Sequence, residues 1–482
     1  MATAQPERQR TNALARNYIL LTSGEFVSKL LAVSAFMYLG RVLGPQRYGS
    51  LEFTLAAMVF FTLPVELGLS DYGAREVARG RISPSALLGE VASLRLLLAA
   101  CSFSALLVFA AVLDRGAELK SLFLFYGLSL FGAPALFQWF FQGSDRMHLV
   151  AAVSIVRQFT FTAVVFALVR AGAPLNRVGM AESLSVLAAG AICMLILRTR
   201  LKIAPGRLTF RPPRLLAPLR EALPIGFAQL AWAFQWYFAT VLLGFIVPGT
   251  PVGWFGASHR ILMSLHTFVW LYFVNLLPSI SRTVSRPRPE LESLIGRSLT
   301  VAAWGSVFAA LVATAFAPTL IRLIYGSKFA GAEGVLRLLA WMLPLAMIGG
   351  HYRYILIGYG RRRLLMMSMG ISAAAAASAA AVLIPRFGAQ GAALGLLTGG
   401  AIEVALSYTF VRLSVAPIPA HVALIRPAIA AAASATAGLL AFAAGANSWI
   451  AAGTTAGAYL LMLCAWQGRD LLTLVKALSH LR

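Results

Sequence analysis

The chain has 482 residues, 59% of them hydrophobic and only 12% charged, against about 25% charged in a soluble globular chain, so most of its surface suits lipid rather than water. Its 41 Lys and Arg against 17 Asp and Glu give a formal net charge of +24, a balance that taken alone would suit a nucleic-acid partner. The placement of those cations in short segments between apolar stretches excludes nucleic acid and reports topology and contact with an anionic lipid bilayer instead.

Fourteen apolar stretches long enough to cross a bilayer are predicted near 17–40, 50–70, 86–110, 121–141, 149–169, 178–197, 222–246, 254–280, 298–321, 335–357, 364–384, 390–411, 424–445 and 448–466. The fold class is therefore all-α and polytopic. The first helix is too long for a signal-peptide core and lacks a convincing A-x-A cleavage site, so it is expected to stay as an uncleaved anchor. With the N-terminus inside, the cytoplasmic segments hold most of the Lys and Arg, including the run Arg198, Arg200, Lys202, Arg207, Arg211, Arg214 and Arg220. That asymmetry places both termini in the cytoplasm.

Residues 1–200 are expected to form an N-terminal six-helix lobe. A basic cytoplasmic linker (201–221), rich in proline, leads to a C-terminal six-helix lobe (222–412). Helices 13 and 14 with a cytoplasmic tail complete the chain (413–482). Six is even, so both lobes start on the same side and would be related as parallel repeats. The turns Gly143-Ser144-Asp145-Arg146 and Gly360-Arg361-Arg362-Arg363 repeat a Gly-x-x-Arg spacing at the same place in each half.

Ionisable groups within membrane helices are costly and default to functional candidates. In helix 1, Lys29 lies too deep to reach either interface. Glu25 stands one turn earlier, and with Ser28 and Thr22 the two make a polar stripe. Arg95 and Arg157 either line an inner vestibule or reach the cytoplasmic interface. Helix 7 offers Gln229, Trp236 and Thr240 at helical spacing, with Gln235 and Tyr237. Helix 8 carries Arg260, Ser264 and Thr267 beside a parallel stripe of His259 and His266. Arg337 and Arg353, near helix ends, are expected at the interface. Glu403 is deep in helix 12, as a coupling carboxylate or the partner of a buried arginine. Cys101, Cys193 and Cys464 lack metal-ligand spacing and read as small buried apolar side chains. No cofactor, metal cluster, nucleophile–base pair or soluble catalytic domain is expected.

Four segments carry a family resemblance. Leu39-Gly40-Arg41-Val42-Leu43-Gly44-Pro45-Gln46-Arg47-Tyr48-Gly49 resembles the first outer turn of polysaccharide-biosynthesis flippases, the Wzx-type branch of the multidrug/oligosaccharidyl-lipid/polysaccharide (MOP) exporter superfamily. Glu66-Leu67-Gly68-Leu69 before Ala74-Arg75-Glu76 resembles that family's end of helix 2. Ile324-Tyr325-Gly326-Ser327-Lys328-Phe329-Ala330-Gly331-Ala332 resembles its turn between helices 9 and 10. Pro385-Arg386-Phe387-Gly388-Ala389-Gln390-Gly391-Ala392 resembles its turn into helix 12.

The resemblance implies two six-helix lobes around a central cavity, lined by helices 1, 2, 7 and 8 and open alternately to each side. It implies as substrate an oligosaccharide on undecaprenyl pyrophosphate, flipped outward across a bacterial plasma membrane for O-antigen, exopolysaccharide or capsule. A polysaccharide polymerase and chain-length machinery are implied partners. Lys29, Glu25, Arg260, Gln229, Trp236 and His259 become the expected substrate-binding residues, with Lys29 facing Arg260 across the pseudo-twofold. His266 and Glu403 become coupling candidates. The alternatives are a multidrug-and-toxin-extrusion (MATE) cation antiporter, which typically has twelve helices and an acidic cavity, and a lipid II flippase for peptidoglycan, which the sequence does not separate from the first reading. An enzyme on the same lipid carrier would need a long outer loop with catalytic groups.

Overall fold

A computed structural model of the chain describes the backbone of residues 4–479 and the side chains of 23–211, 215–419 and 421–467. The described residues are predominantly helical, without a strand. Helix is what lipid demands, because a membrane-spanning segment must pair every backbone N–H and C=O within itself. The chain divides into two compact units, Met1–Val241 and Leu242–Arg482.

The first unit holds α1 (Ala4–Glu66), α2 (Leu69–Arg79), α3 (Pro84–Val112), α4 (Ala117–Gly127), α5 (Gln138–Gly143), α6 (Met147–Leu168) and α7 (Asn176–Thr199). α8 (Pro212–Ile246) crosses the division. The second unit continues with α9 (Thr250–Arg282), α10 (Arg288–Ala315), α11 (Ala317–Tyr325), α12 (Ala332–Leu339), α13 (Met342–Gly358), α14 (Arg362–Ser414), α15 (Ala420–Ala443) and α16 (Ser448–Ser479).

Among the described residues, twelve continuous segments are long and apolar enough to cross a membrane, against the fourteen expected. The difference lies at two glycines. Helical geometry breaks only at Gly44 (φ 69°, ψ 170°) inside α1 and at Gly388 (φ 53°, ψ −124°) inside α14. Each is a sharp reversal between two arms. Before Gly44, α1 runs parallel to α6: Thr162 donates to the Leu31 carbonyl at 3.1 Å and Tyr38 to that of Val169 at 2.7 Å. After Gly44 it runs parallel to α4, through Arg47 on Glu118 and Phe53 on Phe123. α4 runs parallel to α7, Ser183 donating to Phe125 O at 2.6 Å. α7 runs antiparallel to α6, so the arms of α1 oppose one another.

The α14 hairpin is sealed by small residues. Gly391, Gly395 and Gly399, one turn apart, face the Leu383 backbone, Ala380 and Ala376 of the opposite arm, and a Cβ on Gly395 would fall 2.7 Å from Ala380 Cβ. Backbones can approach this closely only over such a stripe, the usual basis of helix association in lipid.

One other helix and two cysteines depart from expectation. The fourth is not continuous: Leu128–Ala135, carrying Gly132 and Pro134, winds as a 3₁₀ turn between α4 and α5. The cysteines are not all buried. Cys193 is, but Cys101 and Cys464 are exposed on their helices, positions that lipid accepts as readily as a core does.

Each unit has its own core. In the first it gathers Leu87, Val91, Phe137, Trp139, Phe141 and Leu197, among others. In the second it gathers Ile295, Leu299, Tyr352, Ile355 and Val411. α15 and α16 pair with each other and rest on α10, where the Tyr459 hydroxyl donates to the Trp304 carbonyl at 3.1 Å.

Candidate functional site

The polar groups inside these helices gather into a few clusters, described unit by unit. In the first, Arg95 of α3 is 1% exposed. Its Nη2 donates to Glu66 Oε2 at 2.6 Å and to Ser70 Oγ at 2.8 Å, and its Nη1 to the Leu136 carbonyl at 2.9 Å. The local sequence explains this socket. The 3₁₀ turn before α5 leaves the Leu136 carbonyl outside any helical ladder, and a buried guanidinium is stable only where such acceptors surround it. The expectation that Arg95 lines a vestibule or reaches the interface is thus overturned.

Glu66 also accepts from Ser70 Oγ at 2.9 Å. After it the chain bends at Leu67 (φ 35°) and Gly68 (φ 73°) and nests against α8, where a Cβ on Gly68 would lie 2.7 Å from the Ala222 carbonyl oxygen. Asp71 follows and accepts from Gln229 Nε2 of α8 at 3.3 Å. A second ion pair joins Arg157 Nη2 of α6 to Glu182 Oε1 of α7 at 2.7 Å.

Lys29 and Glu25 are both exposed. They lie on the face of the first α1 arm turned away from the Gly24, Leu31 and Tyr38 contacts with α6, and among the described residues no ion pair joins them. The Thr22 side chain lies outside the described residues. Trp236 is buried, its ring 6.4 Å from Trp232, which in turn meets Tyr237 edge-on at 6.0 Å.

In the second unit α9 carries three of the expected residues. His259 is buried and stacks on Phe255 with ring centroids 5.6 Å apart. The next-door Ser258 donates to the Ala332 carbonyl at 2.9 Å, pinning α9 to α12. His259 feels the charge of Arg260 and the field of His266, and His266 feels the charge of Arg353. Arg353 of α13 is not interfacial as expected. Its Nη1 lies 3.2 Å from Glu403 Oε1 of α14, with both side chains largely buried. So α13 and α14 pair Glu403 with an arginine expected at the interface, and His266 of α9 lies within reach of that arginine's charge.

A further cluster escaped the sequence reading altogether. Tyr272 of α9 and Ser298 of α10 share a short hydroxyl contact, and both reach His351 Nε2 of α13, at 3.1 and 3.0 Å. His351 Nδ1 lies 2.8 Å from the Met347 carbonyl oxygen, which can only accept. Nδ1 therefore carries the proton, and Nε2 accepts from the hydroxyls. Its one sequence signal is a histidine directly after Gly349-Gly350, where Phe273 packs against Gly350. Among the described residues no group of three or more His, Cys, Asp or Glu is placed to hold a metal ion.

The polysaccharide biosynthesis protein family model matches residues 14–284. The chain is 24% identical over 418 residues to a protein named "Putative O-antigen transporter" from Escherichia coli (strain K12), covering 83% of this chain and 97% of that one. Among solved structures, the lipid II flippase MurJ in an inward closed conformation superposes with a TM-score of 0.73 at 14% identity, covering 94% of this chain and all of that one. An inward-facing MATE family transporter of the MOP superfamily gives 0.66 at 15% identity, covering 82% and 97%. The superpositions bear out the expected all-helical polytopic fold, and the family match bears out the resemblance to polysaccharide-biosynthesis proteins.

Proposed function

This chain belongs to the polysaccharide biosynthesis protein family, and we propose that it is a flippase. It carries an oligosaccharide on undecaprenyl pyrophosphate from the inner to the outer leaflet of a bacterial plasma membrane by alternating access, supplying surface polysaccharide assembly. The observation that carries this reading is the family match over 14–284, which contains the intramembrane residues Lys29, Glu66, Arg95, Arg157 and Arg260. The Escherichia coli relative, whose name describes O-antigen transport, supports the same substrate class.

The chemistry asked of such a protein is modest. No covalent bond is made, so the chain acts as a transporter and not as an enzyme. It must offer cations to a pyrophosphate in a low-dielectric region, where a point charge counts for far more than in water. Lys29 in the first unit and Arg260 in the second each serve that purpose, and the fork of Arg260 fits phosphate oxygens. Gln229, Trp236 and His259 contact the sugar chain, and Glu25 joins Lys29 as a substrate-binding group on the same exposed stripe of α1. His266 and Glu403, grouped around Arg353, form the coupling element. The membrane potential contributes about 2.3 kcal/mol per charge per 100 mV. Both termini lie in the cytoplasm, and a polymerase with its chain-length machinery receives the product outside.

The test is accumulation of undecaprenyl-linked oligosaccharide on the inner leaflet of cells lacking the protein. Build-up that wild type clears, and that Lys29→Ala and Arg260→Ala do not, supports the flippase and these two residues. Absence of build-up, with altered sensitivity to organic cations, moves the protein to antiport.

A further inference from the structure

The basic linker after α7 is not a loose connection. From Leu201 to Arg211 it lies extended along the first turns of α3, held by polar bonds. Gly206 N donates to the Ser85 carbonyl at 2.7 Å, and Ser85 Oγ donates to the Ala204 carbonyl at 2.7 Å. Thr209 N donates to Ser93 Oγ at 2.8 Å. The approach is backbone on backbone: a Cβ on Gly89 would lie 2.9 Å from the Gly206 carbonyl oxygen.

This pinning sorts the side chains. Leu201 and Ile203 turn inward and pack on the core of the first unit. Lys202, Arg207 and Arg211 turn outward, with Leu208 (52% exposed) and Phe210 (53%) between and beside them. Among the described residues none of these three cations makes a hydrogen bond or an ion pair. Arg198 and Arg200, at the end of α7, are exposed at the same end of the unit. A water-facing strap has no need of two large apolar side chains held out beside free cations, and a core-facing one has no use for the cations.

We propose that the 201–211 strap is an interfacial docking element for anionic phospholipid of the cytoplasmic leaflet, Lys202, Arg207 and Arg211 meeting the headgroup phosphates while Leu208 and Phe210 enter the acyl boundary. Apolar tips flanked by Lys and Arg are the composition that lies in a membrane interface, and juxtamembrane cations bind acidic leaflets by charge. The strap's rigidity has a use here, since the side chains are oriented before lipid arrives and lose little freedom on contact.

The test uses the full chain with Cys101→Ala, Cys193→Ala and Cys464→Ala and a single Phe210→Cys carrying an environment-sensitive fluorophore. It is reconstituted with nitroxide-labelled lipid into vesicles of phosphatidylcholine, alone or mixed with phosphatidylglycerol. The label is expected to be quenched in the mixed vesicles and not in phosphatidylcholine alone. Quenching is lost in about 1 M salt, where the Debye length shrinks to about 3 Å, and in the combined Lys202→Gln, Arg207→Gln and Arg211→Gln variant. It is retained in Arg207→Lys with Arg211→Lys. Inorganic phosphate added to the mixed vesicles at matched ionic strength leaves the quenching intact; loss of quenching there would make the strap a free-phosphate site and overturn the assignment. Equal quenching in both lipids, or in neither, overturns it too, the last placing the strap against water or protein. The salt series needs no charge variant, so a misfolded triple variant does not shield the proposal.

Discussion

Arg95 on α3 and Glu66 at the end of α1 form a 2.6 Å ion pair whose arginine is almost wholly removed from solvent. The glutamate that opens the Glu66-Leu67-Gly68-Leu69 motif is thereby accounted for: it neutralises a buried guanidinium, and the glycine two residues on lets the bend sit against α8. Removing one partner strands a charge, which costs about 3–5 kcal/mol in a buried pair. Glu66→Gln and Arg95→Met should each lower the melting midpoint of the purified protein sharply, and the double variant should melt above Arg95→Met or Glu66→Gln alone. Midpoints that simply add would refute this account.

Arg353 and Glu403 invite the same cycle with a functional readout. Arg353→Gln should abolish flipping in the leaflet assay by leaving Glu403 uncompensated, and Glu403→Gln in the same chain should restore part of it. A double variant as inactive as the worse single one would mean the charges act separately on transport.

The Tyr272–Ser298–His351 cluster should behave as a single unit. Tyr272→Phe and Ser298→Ala each leave Nε2 another donor and should cost about 1 kcal/mol; the pair together leaves a buried acceptor unsatisfied and should cost about 1–3 kcal/mol beyond the sum. Denaturation of the four species in detergent measures the coupling, and strict additivity would dissolve the cluster.

Lys29 is exposed and pairs with nothing among the described residues, so its loss should be felt in function rather than in stability. Lys29→Ala should keep the parent melting midpoint and yet fail to clear inner-leaflet substrate. A variant that flips normally removes Lys29 from the path.

Gly395 and Gly370 make a matched pair on α14. A side chain at Gly395 meets Ala380 across the hairpin, whereas a Cβ on Gly370 meets nothing within 4 Å. Gly395→Leu should cost at least the 1–3 kcal/mol typical of overpacking, while Gly370→Ala should be neutral or mildly stabilising. Thermal unfolding with both variants side by side decides it.

The helices and their polytopic class were legible because apolar length and composition are local properties, and the turns at 39–49 and 385–392 were legible through their family resemblance. Lys29, Arg260 and Glu403 were legible as anomalies, since a charge in an apolar run stands out whatever surrounds it. The pairings were not. Glu182 stands 25 positions from Arg157, and Glu403 fifty from Arg353, on helices whose rotation about their axes no spacing rule supplies. Arg353 was misread because distance to a helix end was weighed without its partner. His351 was invisible because a single histidine in a glycine-rich apolar stretch has no periodicity to join.

The hairpin at Gly388 bears on how the chain is built. Its glycine stripe and the alanines that cover it lie within one stretch of 53 residues, so the second arm finds its partner already threaded into the bilayer as it leaves the ribosome. Nothing made later is needed to shield that seam, and α15 and α16 can join the second unit against α10 with their neighbours already in register. Biogenesis of this half of the molecule thus has a self-completing step ahead of its last two helices.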